Sequence, residues 1–219
     1  MFANLLIDQL IPSLKDNQTV YEALNIIHRD LLLALPVTNL NNEVVGIIKE
    51  GDLLDAYDEN DLIEKYIIPV NSVSPDEHIF NILKNKALTN IGICPITDIN
   101  RQYIGCISAQ SLVRFLSENR YIQQIGGVVV LEFKAIDYSL TELSRLVESN
   151  HANILHTFVS NSPNPENIMV SLKIDRDDLK EIVSTFERFD YNVIAVFQSS
   201  NYEHDFKDRY ESLMMYLNI

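Results

Sequence analysis

The sequence predicts an α+β chain: two copies of a helix–strand–strand–helix unit, then a β-α-β-β-α-β domain, then a C-terminal amphipathic helix. Three observations predict it. Shifted by 59 positions, the sequence aligns with itself without a gap from Ser13 to Tyr57. Within each copy, apolar residues at helical spacing precede two short β-rich runs. Beyond Gly126 the repeat stops, and four β-rich runs alternate with two amphipathic stretches.

The elements of the repeat follow in order. Identities fall at Ser13/Ser72, Leu24/Leu83, Pro36/Pro95, Thr38/Thr97, Asn41/Asn100, Gly46/Gly105, Ile48/Ile107 and Leu53/Leu112. A polar cluster, Lys15 to Thr19 or Ser74 to His78, opens each unit, and Asp16 or Asp76 can cap the helix that follows. In the first copy Val20, Ala23, Leu24 and Ile27 give that helix its apolar face. A strand then runs from Leu35 to Thr38 or from Cys94 to Thr97. A polar turn leads to a second strand, Val44 to Ile48 or Tyr103 to Ile107. So short a connection implies an antiparallel hairpin. A helix opens near Gly51 or Gln110. One copy cannot cover both faces of so small a sheet, so the copies should pack on each other.

Composition narrows the function. The 219 residues are 47% hydrophobic and 22% charged, with a net charge of −14. The acidity is even: 16 acidic and 9 basic residues up to Arg120, 15 and 8 after it. No basic half exists to bind nucleic acid or an anionic membrane. Cys94 and Cys106 sit in apolar runs and read as buried free thiols. The N-terminal run lacks a basic segment and is interrupted by Asp8, so it is a poor signal peptide. No apolar run approaches the roughly 18 residues of a membrane span. A cytosolic protein is expected. No phosphate-cradling glycine loop, metal-ligand spacing or nucleophile setting is present, so no metal, cofactor or catalytic residue is expected, and the protein is not expected to be an enzyme.

The proline-led strand, the turn and the run Gly46-Ile47-Ile48 with Asp52-Leu53, told twice without a gap, resemble the CBS domain. That domain occurs as a tandem pair called a Bateman module. The resemblance covers about 120 residues and implies repeats at 1–60 and 61–120. It also implies two clefts that bind adenosine-containing ligands. The first would be lined by Ser13, Ala34, Pro36, Lys49, Gly51 and Asp52, the second by Ser72, Ile93, Pro95, Ser108 and Ser111.

In the family, a hydroxyl residue and, three positions on, an aspartate meet phosphate and ribose. A carboxylate can accept both ribose hydroxyls, each charge-assisted bond being worth roughly 1.5–3 kcal/mol. Each copy keeps half of this pair. Copy one has Asp52 but Lys49 in the hydroxyl position; copy two has Ser108 but Ser111 in the carboxylate position. Asp52 reads either as a helix N-cap or as a ribose acceptor. Lys49 either neutralises a phosphate or pairs with a neighbouring acid and plugs the cleft. Ser108 and Ser111 read as turn and cap residues or as ligand contacts. Leu33 and Ala34, with Gly92 and Ile93 in copy two, stand where some nucleotide-binding relatives place basic residues. Their character favours adenosine, a monophosphate or no ligand over a polyphosphate.

From Gly126 strands are expected at Val128 to Phe133, Asn153 to Ser160, Asn167 to Ile174 and Asn192 to Phe197. Helices are expected around Leu140 to Val147 and from Asp175 and Asp178 onward. This order is the ferredoxin-like split β-α-β. After a CBS pair it resembles an ACT domain, here at 126–199, and the whole chain resembles bacterial acetoin-utilisation B-type proteins. Many ACT domains bind an amino acid at a glycine in the first strand–helix turn. Here that turn has Asp137 and Ser139 and no glycine, so both read more simply as helix caps. Finally, Phe206, Tyr210, Leu213, Met214 and Leu217 define one apolar helical face within 202–219.

The expected protein is a regulatory homodimer that senses an adenosine-type ligand and signals to a protein partner. The alternative is a dimerisation or scaffold protein whose clefts no longer bind ligand.

Overall fold

The computed structural model describes residues 2–198. The C-terminal helix expected over 202–219 lies outside them. The chain divides into two units, Met1–Leu116 and Ser117–Ile219.

The first unit holds β1 (Leu14–Lys15), α1 (Val20–Asp30), β2 (Ala34–Thr38), β3 (Val44–Lys49) and α2 (Glu50–Leu54). It continues with α3 (Ile79–Ile82), α4 (Lys86–Ile91), β4 (Ile93–Thr97), β5 (Tyr103–Ser108) and α5 (Ala109–Ser117), whose last residue is counted in the second unit. The strands β2 and β3, like β4 and β5, pair as antiparallel hairpins in matching register, Pro36 opposite Ile47 and Pro95 opposite Cys106. Thr19, not Asp16, caps α1. Its hydroxyl accepts from the Glu22 N–H while the Glu22 carboxylate accepts from the Thr19 N–H, a reciprocal box that an aspartate three residues earlier cannot reach. In copy two His78, not Asp76, caps α3.

The helices of the two copies differ. The first runs unbroken for 11 residues. The second breaks at Leu83 and restarts behind Asn85, whose side chain accepts from the Ala87 and Leu88 N–H groups. At the 59-residue offset, buried Ile27 corresponds to Lys86. A lysine cannot take that core position without losing hydration. The helix therefore unwinds and resumes with Ala87 and Leu88 facing the core.

The repeats exchange their leading segments. Ala3 and Leu6, in a short 3-10 helix, are buried with Ile79, Ile82, Leu88, Ile96 and Ile107 of copy two. Ile63 is buried with Ile27, Leu35, Val37 and Ile47 of copy one. The two crossings are made by equivalent bonds. Asp8 N–H donates to Cys106 O and Ile68 N–H to Ile47 O, each at 2.8 Å. Gly46 and Gly105 make room for them: a Cβ on Gly46 would collide with the Ile68 carbonyl oxygen, and one on Gly105 would lie 2.7 Å from Ile7 Cγ2. Cys94 belongs to one core and Cys106 to the other, so the thiols point to opposite faces of their hairpin and stay free.

The second unit holds α6 (Arg120–Gln123), β6 (Val128–Lys134), α7 (Leu140–Glu148), β7 (Ile154–Asn161), β8 (Asn167–Ile174), α8 (Lys180–Arg188) and β9 (Asn192–Phe197). Its sheet order is β7-β8-β6-β9, antiparallel throughout, which is the split β-α-β topology. Alternate residues of the two central strands, Val129, Leu131, Val170 and Leu172, are buried with Leu143, Leu146, Ile182 and Phe186 of the helices. Asp175 does not begin α8. Its carboxylate accepts from the backbone and side-chain N–H groups of Asn153, which holds it below the usual carboxylate range despite the opposing effect of desolvation.

Candidate functional site

The two halves of the repeated motif are occupied differently. In copy one Lys49 stands at the N-cap position of α2 with no capping bond, and Asp52 lies inside the first turn. The N-cap reading of Asp52 is therefore corrected: the helix starts three residues earlier than a cap at Asp52 requires. Lys49 Nζ lies 3.3 Å from Asp52 Oδ1, so ammonium and carboxylate satisfy each other. Glu50, beside them, pairs with His28 at 3.1 Å. Gly51 is exposed, Pro36 is buried in β2, and Ser13 is half-buried. The copy-one residues do not line one common cavity: the space nearest them, about 380 Å³, is bounded by Ile27, His28, Leu31 to Leu33 and Glu50.

In copy two Ser108 and Ser111 form a capping pair at the start of α5. Ser108 Oγ accepts from the Ser111 N–H at 2.8 Å, and Ser111 Oγ accepts from the Ser108 N–H at 3.1 Å. The Ser111 hydroxyl is turned away from any cleft, 2.8 Å from the carbonyl oxygen of Leu6. Ser72 is bound to Thr97, hydroxyl to hydroxyl, at 2.8 Å, and Pro95 lies in the β4 core.

The carboxylate missing from copy two arrives from elsewhere. Ser108 Oγ donates to Asp8 Oδ2 at 2.7 Å, and the Leu10 N–H donates to Asp8 Oδ1 at 3.1 Å. Asp8 is only 7% exposed. It lines a cleft of about 420 Å³ with Ser108, Ala109 and Gln110 on one side and Leu31 to Ala34 on another, closed by Ile11 and Ile91 to Ile93. Ala34 and Ile93, expected in separate clefts, thus share this one.

The electrostatics of the cleft are simple. Its lining contains Asp8 and Asp30 and no Lys, Arg or His. Both oxygens of Asp30 accept from Arg29 at 2.8 Å, and that hydrogen bonding holds the Asp30 carboxyl below its ordinary range. Asp8 has no cationic partner among the described residues, leaving one uncompensated carboxylate between apolar walls. Its copy-one counterpart in the exchanged segment is Ile68, as the matching bonds to Cys106 and Ile47 show. Neither cleft therefore combines motif and segment as the other does.

Asp8 had a signal in the sequence. A single acid inside Asn4-Leu5-Leu6-Ile7-Asp8-Gln9-Leu10-Ile11 is a buried charge in waiting, and upstream of Ser13 the self-alignment continues at an offset of 60, Ala3 with Ile63 and Asp8 with Ile68. In the second unit Ser139 caps α7 by accepting from the Glu142 N–H, and Asp137 is exposed in a short 3-10 helix. No group of three or more His, Cys, Asp or Glu among the described residues could hold a metal, and no described helix is long and apolar enough to cross a membrane.

No curated protein matches the chain. Among solved structures the chain is similar to a protein of Methanocaldococcus jannaschii (19% identity, TM-score 0.49), covering 54% of this chain and 60% of that one. It is also similar to a CBS domain pair/ACT domain protein of Thermotoga maritima (21% identity, TM-score 0.49, 54% of this chain and 98% of that one). A third similarity is to the CBS domain pair of protein MJ0100 in complex with 5′-methylthioadenosine and S-adenosyl-L-methionine (20% identity, TM-score 0.47, 53% and 96%). The CBS domain family model matches at residues 9–59.

Proposed function

We propose that the first unit, with both its repeats CBS domains, is a ligand-sensing module that binds an adenosine-containing small molecule in the Asp8 cleft and signals its occupancy to a protein partner. The observation that carries this reading is Asp8 itself: a nearly buried carboxylate, uncompensated by any cation among the described residues, beside the Ser108 hydroxyl and between apolar walls. Its unused lone pairs suit the two hydroxyls of a ribose, and the leucine and isoleucine walls suit a purine face. A carboxylate without a neighbouring cation repels a polyphosphate and tolerates a neutral or cationic nucleoside. Adenosine, AMP or S-adenosylmethionine should therefore bind better than ATP.

The module works by population shift: a ligand that takes up Asp8 acts on the segment that joins the two repeats, and so on the balance between their arrangements. The protein acts in the cytosol as a homodimer without catalytic activity of its own, and the second unit serves as an ACT-like domain. The scaffold reading draws support from copy one, where Lys49 and Asp52 already satisfy each other. Calorimetric titration of the whole protein with adenosine, AMP, S-adenosylmethionine and ATP tests the choice. Binding of one of the first three that disappears in Asp8→Ala supports the sensor. No binding by any of the four leaves the scaffold.

A further inference from the structure

Residues 2–116 carry eight Lys and Arg side chains. Five are engaged. Lys15 donates to Thr38 and Asn39, Arg29, Lys49 and Lys65 pair with Asp30, Asp52 and Asp61, and Arg114 also has a partner. The other three, Lys84, Lys86 and Arg101, have no hydrogen-bond or ion-pair partner among the described residues. All three line two adjoining cavities of about 560 and 440 Å³ that share Val70 and Asn71. Among the described residues, neither cavity is lined by a single Asp or Glu.

Chance burial does not produce this sorting. Unpaired cations on an acidic protein should find carboxylates nearby, as the paired ones do. The groove exists because copy two departs from copy one. Where Ile27 fills the core of the first repeat, Lys86 is turned outward and the helix breaks, opening the space over Pro69 to Asn71. The hydrogen-bonded Ser72 and Thr97 hydroxyls and the Asn71 amide add neutral polar groups between the lysines and Arg101. Cavities of this size take small molecules.

We infer that this groove is a second ligand site, for a small molecule carrying a phosphate monoester. A phosphate dianion matches paired ammonium groups and offers several acceptors to lysine, arginine and amide donors at once. The groove shares no lining residue with the Asp8 cleft, so the two proposals stand independently.

The test uses inorganic phosphate as the probe and the full-length ¹⁵N-labelled protein, at constant ionic strength with chloride as the control. The expected result is saturable shifts of the backbone amides of Asn71, Lys84 to Ala87 and Arg101 that chloride does not reproduce. Exposed Lys84 and Lys86 can be replaced without disturbing the core, and the double variant K84M/K86M should weaken phosphate about tenfold or more. Arg101→Gln should weaken it too, and Asp8→Asn should leave it unchanged. Shifts that do not saturate, or a double variant that binds phosphate as tightly as the parent, overturn the inference.

Discussion

Replacing Asp8 by Asn separates the chemistry of the cleft from its architecture. The amide oxygen can keep the 3.1 Å bond from the Leu10 N–H, but its NH₂ then faces Ser108 Oγ, which now donates at 2.7 Å. Ser108 still accepts from the Ser111 N–H, so the cap of α5 survives. The loss in stability should be about one hydrogen bond, roughly 1 kcal/mol. The effect on binding is larger. Charge-assisted bonds to ribose become neutral ones, a change of about 1–2 kcal/mol, or roughly 5- to 30-fold in Kd. At a ligand concentration a hundred times the parent Kd, the parent gains about 2.7 kcal/mol from binding, by RT ln(1 + [L]/Kd). The variant should retain about 0.9–1.8 kcal/mol at the same concentration. Each kcal/mol moves Tm by about 2–4 °C in chains of this size, so a parental shift of about 5–10 °C should fall to about 2–7 °C. Differential scanning calorimetry can read this, and two units can melt separately, so the shift belongs to one transition. Asp52→Asn is the control: its half-exposed pair with Lys49 should contribute little to stability, and the ligand shift should persist. A full shift in Asp8→Asn together with a lost shift in Asp52→Asn would refute the assignment of the cleft and move it to copy one.

Other outcomes follow from the packing. Gly46→Ala should destabilise the first unit by about 1–3 kcal/mol, and more than Gly105→Ala, because its Cβ meets both the Ile68 backbone carbonyl and an Ile67 methyl whereas at Gly105 it meets only an Ile7 side-chain methyl that close; urea denaturation of the two variants would show the order. Ser111→Asp should not create a ligand carboxylate but destabilise the unit by about 2 kcal/mol or more, since the new charge would face the Leu6 carbonyl in place of a donor hydroxyl; a variant as stable as the parent would contradict this. Burial pushes the Cys94 thiol up to about 12 and the Cys106 thiol up as well, so both should resist a thiol-specific reagent at pH 8 until the protein is unfolded. A raised thiol favours the folded state while it stays protonated, so that contribution is complete below about pH 9 and is lost as pH rises toward 12.

Much of this fold was legible because its signals are local and periodic. The hairpins of both repeats and the strands Asn167–Ile174 and Asn192–Phe197 follow from alternation and turn residues, and the structure places them where those predict. The caps were less legible. Aspartates were plausible at two helix starts, but Thr19 with Glu22, and His78, stand one residue before the first helical turn and win by distance. The site was legible only in part. The motif positions Lys49, Asp52, Ser108 and Ser111 lie where the alignment puts them, yet their partners are set by tertiary contacts. Asp8 reaches Ser108 across 100 positions of sequence, a distance over which no periodic pattern speaks. The break after Leu83 was hidden for the same reason: Lys86 is unremarkable in a helical pattern until the core position it would occupy is known.

The crossing of the leading segments makes the boundary between repeats a boundary of sequence and not of stability. A fragment ending near residue 60 would keep the first hairpin but leave the Gly46 groove without Ile67 and Ile68, and would carry Ala3 and Leu6 with no core to enter. The complementary fragment would lack what closes the pocket among Ile79, Ile82 and Ile107. Neither half is a shorter version of the whole. Any event that loosens one crossing therefore exposes apolar surface in both repeats, so that the first unit, though written as two copies, opens and closes as one body.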